Sequence, residues 1–154
     1  MDIRIRKMTE NDLDDLYDLL SDEEVMQYIE APYSRKKTES FLCSAGLAGD
    51  PLIYAAEASG DFIGYCVFHP FDDTSMEIGW ILKRSAWGKG YACRLTELML
   101  KMCRDLNEDA VIECDPEQET TRHIAEKYGF KCTAEGELSV YRLSVSDIDR
   151  YLPE

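Results

Sequence analysis

Residues 77–92 limit what this chain can fold into more than any other stretch. An apolar strand at residues 76–82 passes through a short polar link into Trp87-Gly88-Lys89-Gly90-Tyr91-Ala92. A helix over residues 91–106 follows, with Leu95, Leu98, Met99, Met102 and Leu106 along one face, and a buried strand at 110–114 completes a β-α-β unit. Gly88 and Gly90 carry no Cβ, so the backbone can turn tightly and bring its N–H groups close to a ligand. The positive dipole end of the following helix points at the same spot, which makes the loop a place to hold a phosphate ester. The same glycines would also serve an ordinary strand-to-helix turn. Two common nucleotide loops are absent: there is no Gly-x-x-x-x-Gly-Lys-Ser/Thr and no three-glycine dinucleotide fingerprint.

The remaining pattern is strand and helix in alternation. Ile3 and Ile5 alternate with Arg4 and Arg6, and Thr9-Glu10-Asn11-Asp12 then starts a helix carrying Leu13, Leu16, Leu19 and Leu20. Pro32 interrupts the next segment, and Ser34 to Glu39 leads into a helix through Phe41, Leu42 and Leu47 that ends near Gly49-Asp50-Pro51. Strands at 52–58 and 62–68 are joined by Ser59-Gly60-Asp61 as a hairpin, and a turn at 70–73 precedes the strand that feeds the glycine loop. A helix at 121–128 stops at Gly129, strands at 130–134 and 138–143 follow, and 145–152 forms a further amphipathic turn or helix.

At 154 residues and 45% hydrophobic content the chain supports one domain, residues 1–154. No apolar run reaches the length of a membrane span and the first residues lack a signal-peptide core, so a cytoplasmic protein is expected. Cys43, Cys66, Cys93, Cys103, Cys114 and Cys132 contain no Cys-x-x-Cys pair, which suits buried thiols rather than disulfides or a metal site. The net charge of −14 repels nucleic acid at long range and leaves phosphate binding to local donors, for which Lys83, Arg84, Lys89 and Arg94 cluster near the loop. An acidic surface also favours cationic partners.

The loop Trp87-Gly88-Lys89-Gly90-Tyr91-Ala92 resembles the acetyl-CoA pyrophosphate loop of the GNAT superfamily of N-acetyltransferases, most of all its ribosomal-protein and spermidine branch. A second stretch, Gln118 to Phe130, is similar to the family's asparagine, small hydroxyl and Glu-Lys-x-Gly-Phe pattern, keeping Thr121 and Glu126-Lys127-Tyr128-Gly129-Phe130. The resemblance implies an α/β fold of the α+β type, with a mixed sheet of about six to seven strands and about four helices. It also implies transfer of the acetyl group of acetyl-CoA to a primary amine, on a cationic small molecule or a peptide N-terminus, by a monomer or homodimer without a metal.

Carried over position by position, Trp80, Ile81 and Leu82 would hold the pantetheine arm as an added strand and offer an N–H to the thioester carbonyl. Arg84, Trp87, Gly88, Lys89, Gly90, Tyr91 and Ala92 would hold the pyrophosphate, and Gln118 stands where the asparagine is usual. Ala125 replaces the tyrosine that commonly protonates the leaving thiolate. The acid is then Thr121, unless it only caps its helix, or Tyr128. Glu77 is the candidate base, or else a surface charge on its strand. His69 and His123 read as surface or packing residues. The alternative to an enzyme is a non-catalytic acetyl-CoA-binding or protein-interaction module.

Overall fold

The computed structural model describes residues 2–153; Met1 and Glu154, the end positions of the expected 1–154 domain, lie outside the described residues. Among the described residues seven strands form one mixed sheet in the order β1-β2-β3-β4-β5-β7-β6, joined by five α-helices. The strands are β1 (Ile3–Arg6), β2 (Ile53–Ala58), β3 (Asp61–Asp72), β4 (Ser75–Leu82), β5 (Asp109–Cys114), β6 (Lys131–Ala134) and β7 (Ser139–Leu143). The helices are α1 (Leu13–Leu20), α2 (Arg35–Phe41), α3 (Tyr91–Leu106), α4 (Glu119–Lys127) and α5 (Ile148–Tyr151). The fifth helix is the C-terminal segment expected as a further turn or helix, and it follows a short 3-10 stretch.

The chain divides into two compact units, residues 1–68 with 80–95 and residues 69–79 with 96–154. In the first, β1 pairs with β2 and β2 with β3, all antiparallel. Thr9 starts the α1 segment through a capping box: its side chain accepts from Asn11 N, and the Asp12 carboxylate accepts from Thr9 N at 2.8 Å. Asp12 is buried and accepts two hydrogen bonds from the Arg6 guanidinium, which hold its carboxyl below the usual range. Leu16, Leu19 and Leu20 bury the inner stripe of α1 against Met8, Met26, Ile53 and Phe62. After α2 the backbone widens into a π turn at Leu42–Gly46, where Gly46 lies against Met8 and Leu42.

The hairpin between β2 and β3 turns on Ser59 and Gly60, both with positive φ (51° and 87°), the geometry that matches strand twist. β3 then runs on to Asp72, so the turn expected at 70–73 lies later, after the strand has passed through Pro70. Proline is tolerated there because β2 stops pairing at Val67, and the missing N–H removes no bond to that neighbour.

In the second unit β4 and β5 pair in parallel from Ser75↔Asp109 to Glu77↔Val111, the arrangement a β-α-β crossover requires. β5 pairs antiparallel with β7 and β7 with β6, so β7, made after β6, sits inside the sheet and β6 at its edge. Arg142 ties Asp72 and Asp109 together at 2.8 and 3.0 Å. Gly129 stops α4 with φ 81° and has the ring of Tyr151 over it, so close that a Cβ would fall 2.2 Å from the ring. The six cysteines are not uniformly buried as expected. Cys66, Cys103 and Cys114 are buried, Cys93 is half-buried, and Cys43 and Cys132 are exposed.

Candidate functional site

In the first unit the end of β4 and the glycine loop form one continuous surface of backbone. Trp80 and Ile81 are half-buried and Leu82 is buried. β3 approaches so closely here that a Cβ on Gly64 would lie 2.0 Å from the Ile81 carbonyl oxygen, and Lys83 N donates to Ile63 O at 2.9 Å. The chain then makes a 3-10 turn at Arg84–Ala86, and the Trp87 indole N–H reaches back to the Leu82 carbonyl at 2.9 Å. That bond fixes the base of the loop while the Trp87 ring stays 47% exposed.

Beyond Trp87, Gly88 and Gly90 take φ values of 73° and 82°, which L side chains rarely adopt, and a Cβ on either would meet no atom within 4 Å. The space in front of the loop is open. α3 begins at Tyr91, Arg94 N donates to Gly90 O at 3.2 Å, and the sixteen-residue helix presents its dipole to that space. Lys89 is exposed beside it, with Tyr91 and Ala92 half-buried in the first turn. Backbone of this form fits a pyrophosphate, which needs close main-chain approach and a positive end rather than a deep pocket.

Arg84 already has partners within the chain. Its guanidinium donates to Asp22 at 2.7 Å and lies 3.4 Å from Glu24, so two carboxylates hold the side chain that the sequence assigned to phosphate. Burial pushes the Asp22 carboxyl up, but the bonds from Arg84 and from the Glu24 and Val25 amides outweigh it and the carboxyl lies low. A cleft of about 340 Å³ opens at this pair, lined also by Asp15, Asp18, Phe62, Lys83 and Ser85.

In the second unit Glu77 projects from β4 with its side chain only 22% exposed, and His69 Nε2 on β3 lies 3.9 Å from its Oε1. Glu113 sits two residues along β5 from Val111, the partner of Glu77, and therefore on the same face of the sheet. Burial raises the Glu77 carboxyl above the usual glutamate range, the like charge of Glu113 raises it further, and His69 opposes them. A carboxylate tuned this way is a better proton acceptor than a surface glutamate. In the sequence alone no nucleophilic serine or cysteine accompanies His69, which is why it reads there as a surface or packing residue. The strand's continuation to Asp72 is what brings it beside Glu77.

The other expected residues in this unit fall into different settings. Gln118 precedes α4 and its side-chain oxygen accepts from Asp115 N at 2.9 Å, so it braces its own loop. Thr121 is half-buried in the first turn of α4 but is not its cap, a position held by Gln118. Ala125 is fully buried. Tyr128 is also buried, and its hydroxyl donates to Glu97 on α3 at 2.6 Å, which holds the phenolic proton against a carboxylate. Among the described residues no group of three or more His, Cys, Asp or Glu is placed to hold a metal ion, and no helix is long and apolar enough to cross a membrane.

Known proteins are similar to this chain in sequence and in fold. A family model described as the acetyltransferase (GNAT) domain matches residues 2–131. The uncharacterized protein YkkB of Bacillus subtilis (strain 168) is 29% identical over 139 residues, covering 82% of this chain and 80% of its own length. The aminoglycoside acetyltransferase AAC(6')-Ib in complex with coenzyme A superposes with a TM-score of 0.82 at 19% identity, over 97% of this chain and 98% of that one. Spermidine N-acetyltransferase from Vibrio cholerae, in complex with CoA and spermine, gives a TM-score of 0.76 at 22% identity, over 91% and 92% of the two chains. At those identities the two structures speak for the fold.

Proposed function

The chain belongs to the GNAT acetyltransferase family, and on that premise we propose that residues 1–154 act as one N-acetyltransferase domain that moves the acetyl group of acetyl-CoA directly onto a primary amine. The observation that carries this reading is the glycine loop, where Gly88 and Gly90 hold left-handed backbone over open space at the start of α3. Acetyl-CoA supplies an activated thioester. The chain's own groups do the rest. The backbone of Gly88 to Ala92 and the Lys89 ammonium hold the pyrophosphate, and the backbone of Trp80, Ile81 and Leu82 lines up the pantetheine arm and presents an N–H to the carbonyl oxygen. Trp87 keeps the loop in shape through its bond to Leu82, and Arg84 holds the loop to Asp22 rather than holding phosphate.

Glu77 takes a proton from the ammonium form of the acceptor, and its raised carboxyl suits that task near neutral pH. Thr121 is the better candidate for the proton donated to sulfur, directly or through a water, because the Tyr128 hydroxyl is already committed to Glu97. The acceptor is a cationic small molecule or a peptide N-terminus. The net charge of −14 supports a cationic acceptor, as do the polyamine and aminoglycoside named for two structural neighbours. The resemblance of the glycine loop supports the ribosomal-protein and spermidine branch, and the buried thiols suit a reducing compartment such as the cytoplasm.

Buried Ala125 and the engaged Tyr128 favour one second reading, a module that binds acetyl-CoA without turnover. One experiment separates the two. Thiol release is followed from acetyl-CoA with a panel of polyamines, aminoglycosides, amino acids and peptides. Turnover with any primary amine is the expected result, binding of acetyl-CoA without release would leave the module, and no binding would remove both.

A further inference from the structure

His69 is built into its position more firmly than a surface histidine needs to be. The proline that follows confines its backbone to the extended region, so the strand cannot pucker at this point. Its Nδ1 lies 3.0 Å from the Pro70 carbonyl oxygen. A carbonyl can only accept, so this bond requires the proton on Nδ1 and leaves Nε2 as the ring's free lone pair. That nitrogen faces Glu77 Oε1 at 3.9 Å, a gap that one small rotation or one bridging water closes. Both side chains are about three-quarters shielded from solvent, at 25% and 22% exposure. Glu113 on β5 adds a second negative charge to the face that carries Glu77.

Resting on the acetyltransferase reading above, we propose that His69 is the positioning residue and proton partner of Glu77, anchored through Pro70 so that the proton Glu77 takes from the acceptor ammonium ends on His69 Nε2. In the resting pair Glu77 is ionised and the imidazole is neutral with its proton on Nδ1. The ammonium N–H bond breaks, its electron pair stays on nitrogen for attack on the thioester, and the proton passes to Glu77 Oε1. It moves on to Nε2, which regenerates the carboxylate and leaves an imidazolium held by the Pro70 carbonyl and Glu77. Glu77 is thereby restored before the next ammonium arrives, which a lone buried carboxylate would achieve only by releasing the proton to bulk water.

Two measurements test this. The chain contains two histidines, so His123→Gln leaves a single imidazole to follow by ring ¹⁵N shifts. Nδ1 is expected to stay protonated from acid to alkaline pH, and an alkaline form with the proton on Nε2 and none on Nδ1 would overturn the proposal without any activity being needed. In parallel, His69→Gln is expected to lower kcat about tenfold with acetyl-CoA affinity unchanged by calorimetry. It should also move the acid limb of the pH profile upward, since Glu77 loses the neighbour that favours its ionised form. An unmoved acid limb in a folded His69→Gln variant would show that the ring only packs, and would sink the proposal. Absence of turnover in the wild-type chain removes the acetyltransferase reading and this role together. An active wild type with the wrong tautomer removes this role alone.

Discussion

Two residues show how local geometry and function oppose each other here. Glu77 carries a carboxyl raised by burial and by Glu113, so the native state binds its proton more readily than the unfolded chain does. Stability is therefore lost as pH rises from the ordinary glutamate range through the raised value, and at neutral pH the ionised side chain costs the fold free energy. Glu77→Gln should raise the melting temperature at pH 7 while lowering kcat, and the gain should shrink near pH 4, where the wild-type carboxyl is protonated. Thermal unfolding at the two pH values, beside steady-state rates, checks both halves. Gly64 has no such latitude. A Cβ there would sit 2.0 Å from the Ile81 carbonyl, and both partners are backbone, so nothing flexible can give way. Gly64→Ala should destabilise by about 3 kcal/mol or unfold the chain, measured as a lower urea midpoint.

At the scale of elements, the glycine loop and α3 were the most legible part of the chain. The helix spans Tyr91–Leu106 as its apolar face indicates, because a repeat near 3.6 residues over sixteen positions has no competing reading. The hairpin at Ser59-Gly60 and the stop at Gly129 were equally clear, each resting on a residue that can take positive φ. Pro70 misled because proline ordinarily opens a turn, and only the extent of β2 shows that its missing N–H is harmless. The long-range polar contacts were not legible at all: Arg84 with Asp22 and Tyr128 with Glu97 join residues 62 and 31 positions apart, and periodicity carries no information about such partners. For the loop itself, Gly90→Glu puts a charged side chain at φ 82° into the open space in front of the helix. Acetyl-CoA binding by calorimetry should fall below detection, with the far-ultraviolet circular dichroism retained. Unchanged affinity in the folded variant would move the cofactor elsewhere.

For the molecule as a whole, a charge of −14 acts oppositely on the two proposed substrates. Raising ionic strength from about 0.01 to about 0.1 M shortens the screening length from about 30 to about 10 Å. That weakens the attraction for a polyamine and the repulsion of acetyl-CoA alike. The kcat/KM for a polyamine should fall severalfold over this range, more than for a monoamine, while the KM for acetyl-CoA should hold or improve. A polyamine profile that is flat in salt would mean that the surface charge serves solubility alone. The strand order has its own consequence during synthesis. β7 leaves the ribosome after β6, yet it takes the place beside β5, and among the described residues β6 joins the sheet through it. A nascent chain that has not passed Leu143 therefore carries an open β5 edge, so the vectorial order of translation delays the closing of this sheet and makes an incomplete chain a natural client for chaperones.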